Sequence, residues 1–129
     1  MTVLAAYADS PEGRASLRHG RRIAAERDDG LVVFDLSTTS RSADRVIDPT
    51  VPDEEDGPAT KWYARDGESR NAAGELVDLA GQLGVDLVVV GVRRRSPIGK
   101  LVLGSNAQQI IIDSHVPVLA VKAERADEH

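Results

Sequence analysis

A chain of 129 residues, 41% hydrophobic and 29% charged, has the length for one continuous core and the balance of a folded domain rather than a disordered segment. A net charge of -5 argues against nucleic-acid binding by bulk electrostatics, and the lack of cysteine removes disulfides, thiol catalysis and thiolate metal sites. The opening MTVLAAYADS has no basic flank and too short an apolar run for a signal peptide, and no run approaches a membrane span, so a cytoplasmic protein is expected.

Tyr7, Phe34, Trp62 and Tyr63 are the only aromatic residues, so the core must be aliphatic. The first apolar run, TVLAAY (2–7), is followed by Ser10, Pro11 and Glu12, which read as an N-cap, a proline at the first helical position and a first-turn acid. That helix is predicted to reach about Arg27 and to stop before Gly30. LVVF (31–34) is the second run. The stretch from Ser37 to Thr60 then carries Pro49, Pro52 and Pro58, the acid run Asp53–Asp56 and almost no apolar stripe, so an irregular loop is expected where a crossover helix is usual. KWYAR (61–65) alternates weakly and is read as a strand near a sheet edge. From Asn71 to Leu83 the spacing of Ala73, Leu76, Ala80 and Leu83 predicts a helix closed by Gly84. LVVV (87–90) is a further strand. A last helix is expected to start at Ser105 with Ala107, Ile110 and Ile111 inward, before VPVLAV (116–121) and a polar tail over 123–129. None of the apolar runs alternates cleanly with polar residues, which predicts strands covered on both faces and hence a parallel sheet. The expected architecture is a single α/β domain over 1–122.

In such a sheet ligands bind beyond the carboxyl ends of the strands, which singles out Ala8–Ser10 and Gly91–Ser105. A helix N-terminus presents unpaired N–H groups and a positive dipole end, so Gly104, Ser105 and Asn106 form a candidate anion site. The same residues also read as a capping serine after a turn glycine, and both readings stand at this level. Arg93, Arg94 and Arg95 either clamp a phosphate or form a solubilising loop tip. IGKL is not a phosphate-binding P-loop, because no glycine stands five residues before Gly99 and Leu101 replaces the required Ser or Thr. Leu101, Val102 and Leu103 are expected to form a turn covering the sheet or a partner. His19, His115 and His129 are scattered without metal-ligand spacing, and no G-x-S-x-G elbow occurs. A phospho-receiver is an alternative through Asp66 and Lys122, although the acids that would hold Mg²⁺ after the first strand reduce to Asp9.

GVRRRSPIGKLVLGS, leaving an apolar strand and followed by a helix and HVPVLAV, resembles the C-terminal signature of the universal stress protein family: glycine, two residues, glycine, nine residues, then glycine with Ser or Thr. The opening VLAAYADSPEGRASL resembles the family's first strand and helix. The resemblance implies an open five-stranded parallel sheet of order 3-2-1-4-5, usually a dimer, and ATP binding in many members but not all. Carried onto this chain, Gly91 and the pair Gly104-Ser105 match the signature, whereas Arg94 occupies the place of its middle glycine. The acidic residue that contacts nucleotide after the first strand has its counterpart at Ala8, with Asp9 available only if the turn shifts by one residue. The resulting expectation is a non-enzymatic stress-response or signalling module with a degenerate phosphate loop and weak or absent ATP binding. The alternatives are an ATP-competent, slowly hydrolysing member and the receiver. ATP or another adenine nucleotide is the only cofactor brought into consideration, and no metal is. A homodimer is expected through the last strand, Val116–Val121, an apolar edge open to self-pairing.

Overall fold

The computed structural model describes residues 2–8, 10–39, 60–65, 71–94, 101–102 and 104–123. Its elements are β1 (Thr2–Tyr7), α1 (Pro11–Arg27), β2 (Gly30–Thr39), β3 (Thr60–Arg65), α2 (Ala72–Leu83), β4 (Leu87–Arg94), β5 (Leu101–Val102), α3 (Ser105–Asp113) and β6 (Val118–Lys122). Five strands pair in parallel in the order β3-β2-β1-β4-β6, and β5 pairs antiparallel with the end of β4. This is the predicted 3-2-1-4-5 arrangement, with β6 as its fifth strand. It excludes the receiver, whose flavodoxin-like sheet runs 2-1-3-4-5.

The uninterrupted apolar runs are explained by burial on both faces. Along β1, Val3, Ala5 and Tyr7 join a core under α1, while Leu4 and Ala6 join a second core under α2 and α3. Val88 and Val90 of β4 face that second core, and Val89 faces the first. Each strand thus presents apolar side chains to both layers, as a parallel sheet covered on both sides requires.

The predicted helix ends hold in outline. Ser10 Oγ accepts the Gly13 N–H at 3.1 Å, and Asn71 Oδ1 accepts the Gly74 N–H at 2.6 Å. Gly84 closes α2 in the left-handed conformation at φ 65°. At the end of α1 that role falls to Asp28, at φ 57° and ψ 40°, a residue type whose short polar side chain tolerates it.

Four expectations are corrected. Ser37–Thr39 are not irregular but continue β2, with a register shift against β3 between Asp35 and Thr39. Residues 40–59, the rest of the expected irregular loop, and the tail over 124–129 lie outside the described residues. Leu101 and Val102 form a strand rather than a turn. β4 overruns its last pairing with β6 at Val92, and β5 supplies partners to Arg93 and Arg94. Ile111 does not face inward: Ile110 is fully buried, but Ile111 is 41% and Ile112 76% exposed. The inward row is Ala107 and Ile110, and each further residue turns about 100° away from it. The fourth concerns the reading of Ser105 as a cap: α3 starts at Ser105 as expected, but Gly104 stands at its N-cap.

Helix α1 sits unusually close to β1 and β4. A Cβ on Gly13 would overlap the backbone of Ala8, and one on Gly20 would lie 3.0 Å from the Ala5 Cβ. A Cβ on Gly91 would overlap the Glu12 carbonyl and lie 2.9 Å from its Cα. Within that contact Ser16 is fully buried, and its hydroxyl donates to the Val89 carbonyl at 2.8 Å. Gly81 on α2 contrasts with these, because a Cβ there would meet nothing within 4 Å. Gly91→Ala is therefore expected to cost about 3 kcal/mol by overpacking against backbone, whereas Gly81→Ala should add about 0.5–1 kcal/mol through helix propensity. Urea unfolding of both variants checks the pair, and equal midpoints would refute the close seating of α1.

Candidate functional site at the split between β1 and β4

At their amino ends β1 and β4 are clamped together. The Thr2 N–H donates to the Asp86 carboxylate and the Asp86 N–H to the Thr2 carbonyl, both at 2.8 Å. Their pairing covers Val3–Ala5 against Leu87–Val89 and goes no further, although both strands continue. The chain passes from β1 outward to β2 and β3, then returns to β4 and β6 on the other side. The β1–β4 boundary is therefore the point at which strand order reverses, the place where open parallel sheets bind ligands.

A cleft of about 260 Å³ opens at this split. Ala6 and Ala8 line it from the β1 side, Val90 and Gly91 from β4, and Leu36 from β2. Two helix N-termini complete it: Ser10, Glu12 and Gly13 at the start of α1, and Gly104, Ser105, Asn106 and Ala107 at the start of α3. Ile110 adds an apolar surface from the next turn of α3.

The two termini differ electrically. Ser10 caps α1, and Glu12 places a carboxylate in its first turn. At α3, Gly104 is the N-cap and makes no side-chain cap hydrogen bond. The first intrahelical bond runs from the Gln108 N–H to the Gly104 carbonyl at 3.0 Å, so the helix itself supplies no acceptor to the N–H groups of Ser105, Asn106 and Ala107. Gly104 has φ -67° and ψ 164°, which any residue adopts, and open space where a Cβ would be. Neither conformation nor a neighbour demands glycine there; its effect is to leave the helix end uncapped.

Of the residues singled out from sequence, Gly91, Gly104, Ser105 and Asn106 come together in this cleft. Gly91 owes its place first to the close approach of Glu12. Arg93 and Arg94 lie in β4, opposite Val102 and Leu101. Arg95 and Asp9 lie outside the described residues. Sequence reasoning missed Glu12 as a lining residue, having read it as a first-turn acid only. The available signal was that α1, like α3, must begin at the carboxyl edge of the sheet. Among the described residues no three His, Cys, Asp or Glu side chains are grouped to hold a metal ion, and no helix is long and apolar enough to cross a membrane.

Comparison with known proteins agrees with this geometry. The model of the universal stress protein family matches residues 1–122. A universal stress protein of Mycolicibacterium smegmatis is 32% identical over 127 residues, covering 93% of this chain and 96% of that protein. The solved universal stress protein of Archaeoglobus fulgidus superposes with a TM-score of 0.68 at 22% identity, over 94% of this chain and 97% of that one. A universal stress protein crystallised in complex with cAMP gives 0.61 at 20% identity, over 96% and 98% of the two chains. At these identities the two solved structures establish the fold. With the family model spanning nearly the whole chain and the sheet order in agreement, the chain belongs to the universal stress protein family.

Proposed function

We propose that the chain is a non-enzymatic stress-response or signalling module that seats the phosphate of a small ligand on the first turn of α3 and binds ATP weakly or not at all. The observation that carries this reading is the uncapped α3 terminus, with N–H groups unpartnered within the helix, at a cleft on the strand-order reversal. Such a terminus attracts anions by hydrogen bonding and by its dipole. The cAMP complex of a relative supports an adenine nucleotide as the ligand class.

Three features weigh against tight ATP binding. Ala8 brings no carboxylate to the cleft. Arg94, in the place of the family's middle glycine, is extended and paired with Leu101, so the backbone there is committed to a ladder. The cleft volume of about 260 Å³ also falls below the roughly 300–1,000 Å³ usual for small-molecule sites. Losing two charge-assisted contacts costs about 3–6 kcal/mol, which takes a micromolar binder to about millimolar. Titration calorimetry at physiological salt should show ATP binding no tighter than about 100 μM, with Arg94→Gly plus Ala8→Asp tightening it. Gly104→Asp supplies an internal cap and should abolish binding while leaving the fold stable. Micromolar affinity in the unaltered chain would refute the reading in favour of the ATP-competent alternative.

The module is further proposed to be a homodimer through the outer edge of β6. Among the described residues β6 pairs only with β4, and Leu119 is 39% exposed. An apolar edge strand of this kind invites pairing. Pro117 has no N–H and its carbonyl already accepts from Val88 at 3.0 Å, so pairing should centre on Val118–Val121. Analytical ultracentrifugation at micromolar protein should show dimer, reduced by Leu119→Lys; a concentration-independent monomer would refute it.

A further inference from the structure

The three helices are secured to the sheet by unequal means. Helix α1 buries six residues, meets β4 backbone to backbone at Gly91, and is tied to it by the Ser16 hydroxyl on the Val89 carbonyl. Helix α2 buries Ala72, Ala73, Leu76 and Ala80, and its Glu75 is bridged to Arg65 of β3 at 3.2 Å. Helix α3 buries Ala107 and Ile110 alone. Among the described residues its one side-chain hydrogen bond runs within the helix, from Gln109 to Asp113. We propose that α3 is the movable wall of the cleft: it opens as a unit while the sheet and α1 stay folded, and closes over a ligand that has entered, a role that rests on the cleft being the binding site as read above.

Local opening needs an element whose release exposes little apolar surface and breaks few bonds. Of the α3 side chains only that of Ile110 is both large and fully buried, whereas Ile111 and Ile112 stay exposed and gain little from docking. A helix of nine residues is also too short to persist in water by itself, so undocking and unwinding are one event. The ends of the segment allow it. Among the described residues nothing lies within 4 Å of where a Cβ on Gly104 would be, so no packed neighbour fixes the entry to α3. At the exit the Ser114 hydroxyl donates to the Val116 carbonyl, and β6 is paired with β4 from Val118 onward. The far end is thus a fixed pivot.

The need for opening comes from the cleft itself. Its volume of about 260 Å³ is below the roughly 300–1,000 Å³ of small-molecule sites. Ala6, Val90 and Gly91 belong to paired strands, and Gly13 is pressed onto Ala8, so those walls cannot retreat. The wall formed by Gly104, Ser105, Asn106, Ala107 and Ile110 can. Ile110 joins the two roles, since it lines the cleft and anchors the helix. A ligand held against it favours the closed state and fixes α3 in place. Entry through a sparsely populated open state lowers the apparent affinity in proportion to that population, a second source of weak binding beside the missing contacts.

Amide hydrogen exchange, followed in ¹H–¹⁵N spectra at low urea, tests this on the unaltered chain and on Ser16→Ala, with and without AMP. The hydrogen-bonded amides from Gln108 to Ser114 should exchange about a hundredfold or more faster than those of α1, with little dependence on urea. Ser16→Ala, which removes the α1 tie, should speed α1 exchange about tenfold, the worth of one buried hydrogen bond, and leave α3 exchange unchanged. AMP at about ten times its dissociation constant should slow α3 exchange about tenfold. Equal exchange in α1 and α3, or equal acceleration of both in Ser16→Ala, would mean that α3 opens only by global unfolding, which overturns the movable wall and leaves the phosphate seat standing. AMP that shifts cleft amides but leaves α3 exchange unchanged overturns closure on the ligand. No AMP binding at all overturns the seat and, with it, the part of α3 in admission.

Discussion

The close seating of α1 on the carboxyl halves of β1 and β4 is the constraint on which the rest of the molecule depends. Backbone meets backbone there because Gly13 and Gly91 have no Cβ, and Gly20 admits the Ala5 methyl at the third point of contact. Ser16 would be an unsatisfied hydroxyl in this dry interface but for the Val89 carbonyl, at the last residue of β4 paired with β1. A hydroxyl buried without a partner would cost about 1–3 kcal/mol. The hydrogen bond therefore sets the helix in register with the strand as well as holding it down. Because α1 begins just above the split between the two strands, its first turn becomes one wall of the cleft.

The opposite wall follows from how each helix treats its unpaired N-terminal donors. Ser10 and Asn71 turn their side chains back onto α1 and α2, so those ends are satisfied from within. At α3 the chain reaches the N-cap with glycine, which has no side chain to perform that service. The cost of an uncapped end is modest, since glycine at an N-cap is only a few tenths of a kcal/mol poorer than serine or asparagine. The gain is a set of oriented donors at the one place where the sheet order reverses.

Much of this was legible in local sequence. TVLAAY, LVVF and LVVV show no alternation because both their faces are covered, and that absence of period was enough to indicate a parallel sheet. Ser10-Pro11-Glu12 and Asn71 marked helix starts because capping is a contact over three residues. Features that depend on distant neighbours were not legible. Ser105 reads equally as a cap or as the first helical residue, and only the folded chain, with Gly104 at the N-cap, decides for the second. Ile111 shares the apolarity of Ile110, and only the packing of the finished helix decides which of them turns inward. Gly91 belongs to a ligand signature, yet the contact that demands glycine is with Glu12, seventy-nine residues away in sequence. Glu12 itself reads locally as a dipole-stabilising acid. Its place in the cleft appears only when the starts of α1 and α3 are brought to the same edge of the sheet.

The central claim is that the α3 donors without an acceptor in the helix form the anion seat, and amide chemical shifts report on it most directly. Inorganic phosphate titrated into ¹⁵N-labelled protein, at ionic strength held constant with chloride, should move the Ser105, Asn106 and Ala107 amides along saturable curves. Gly74, at a helix start whose N–H is taken by Asn71, should stay in place. Saturable shifts that avoid residues 105–107, or equal movement at Gly74, would contradict the account.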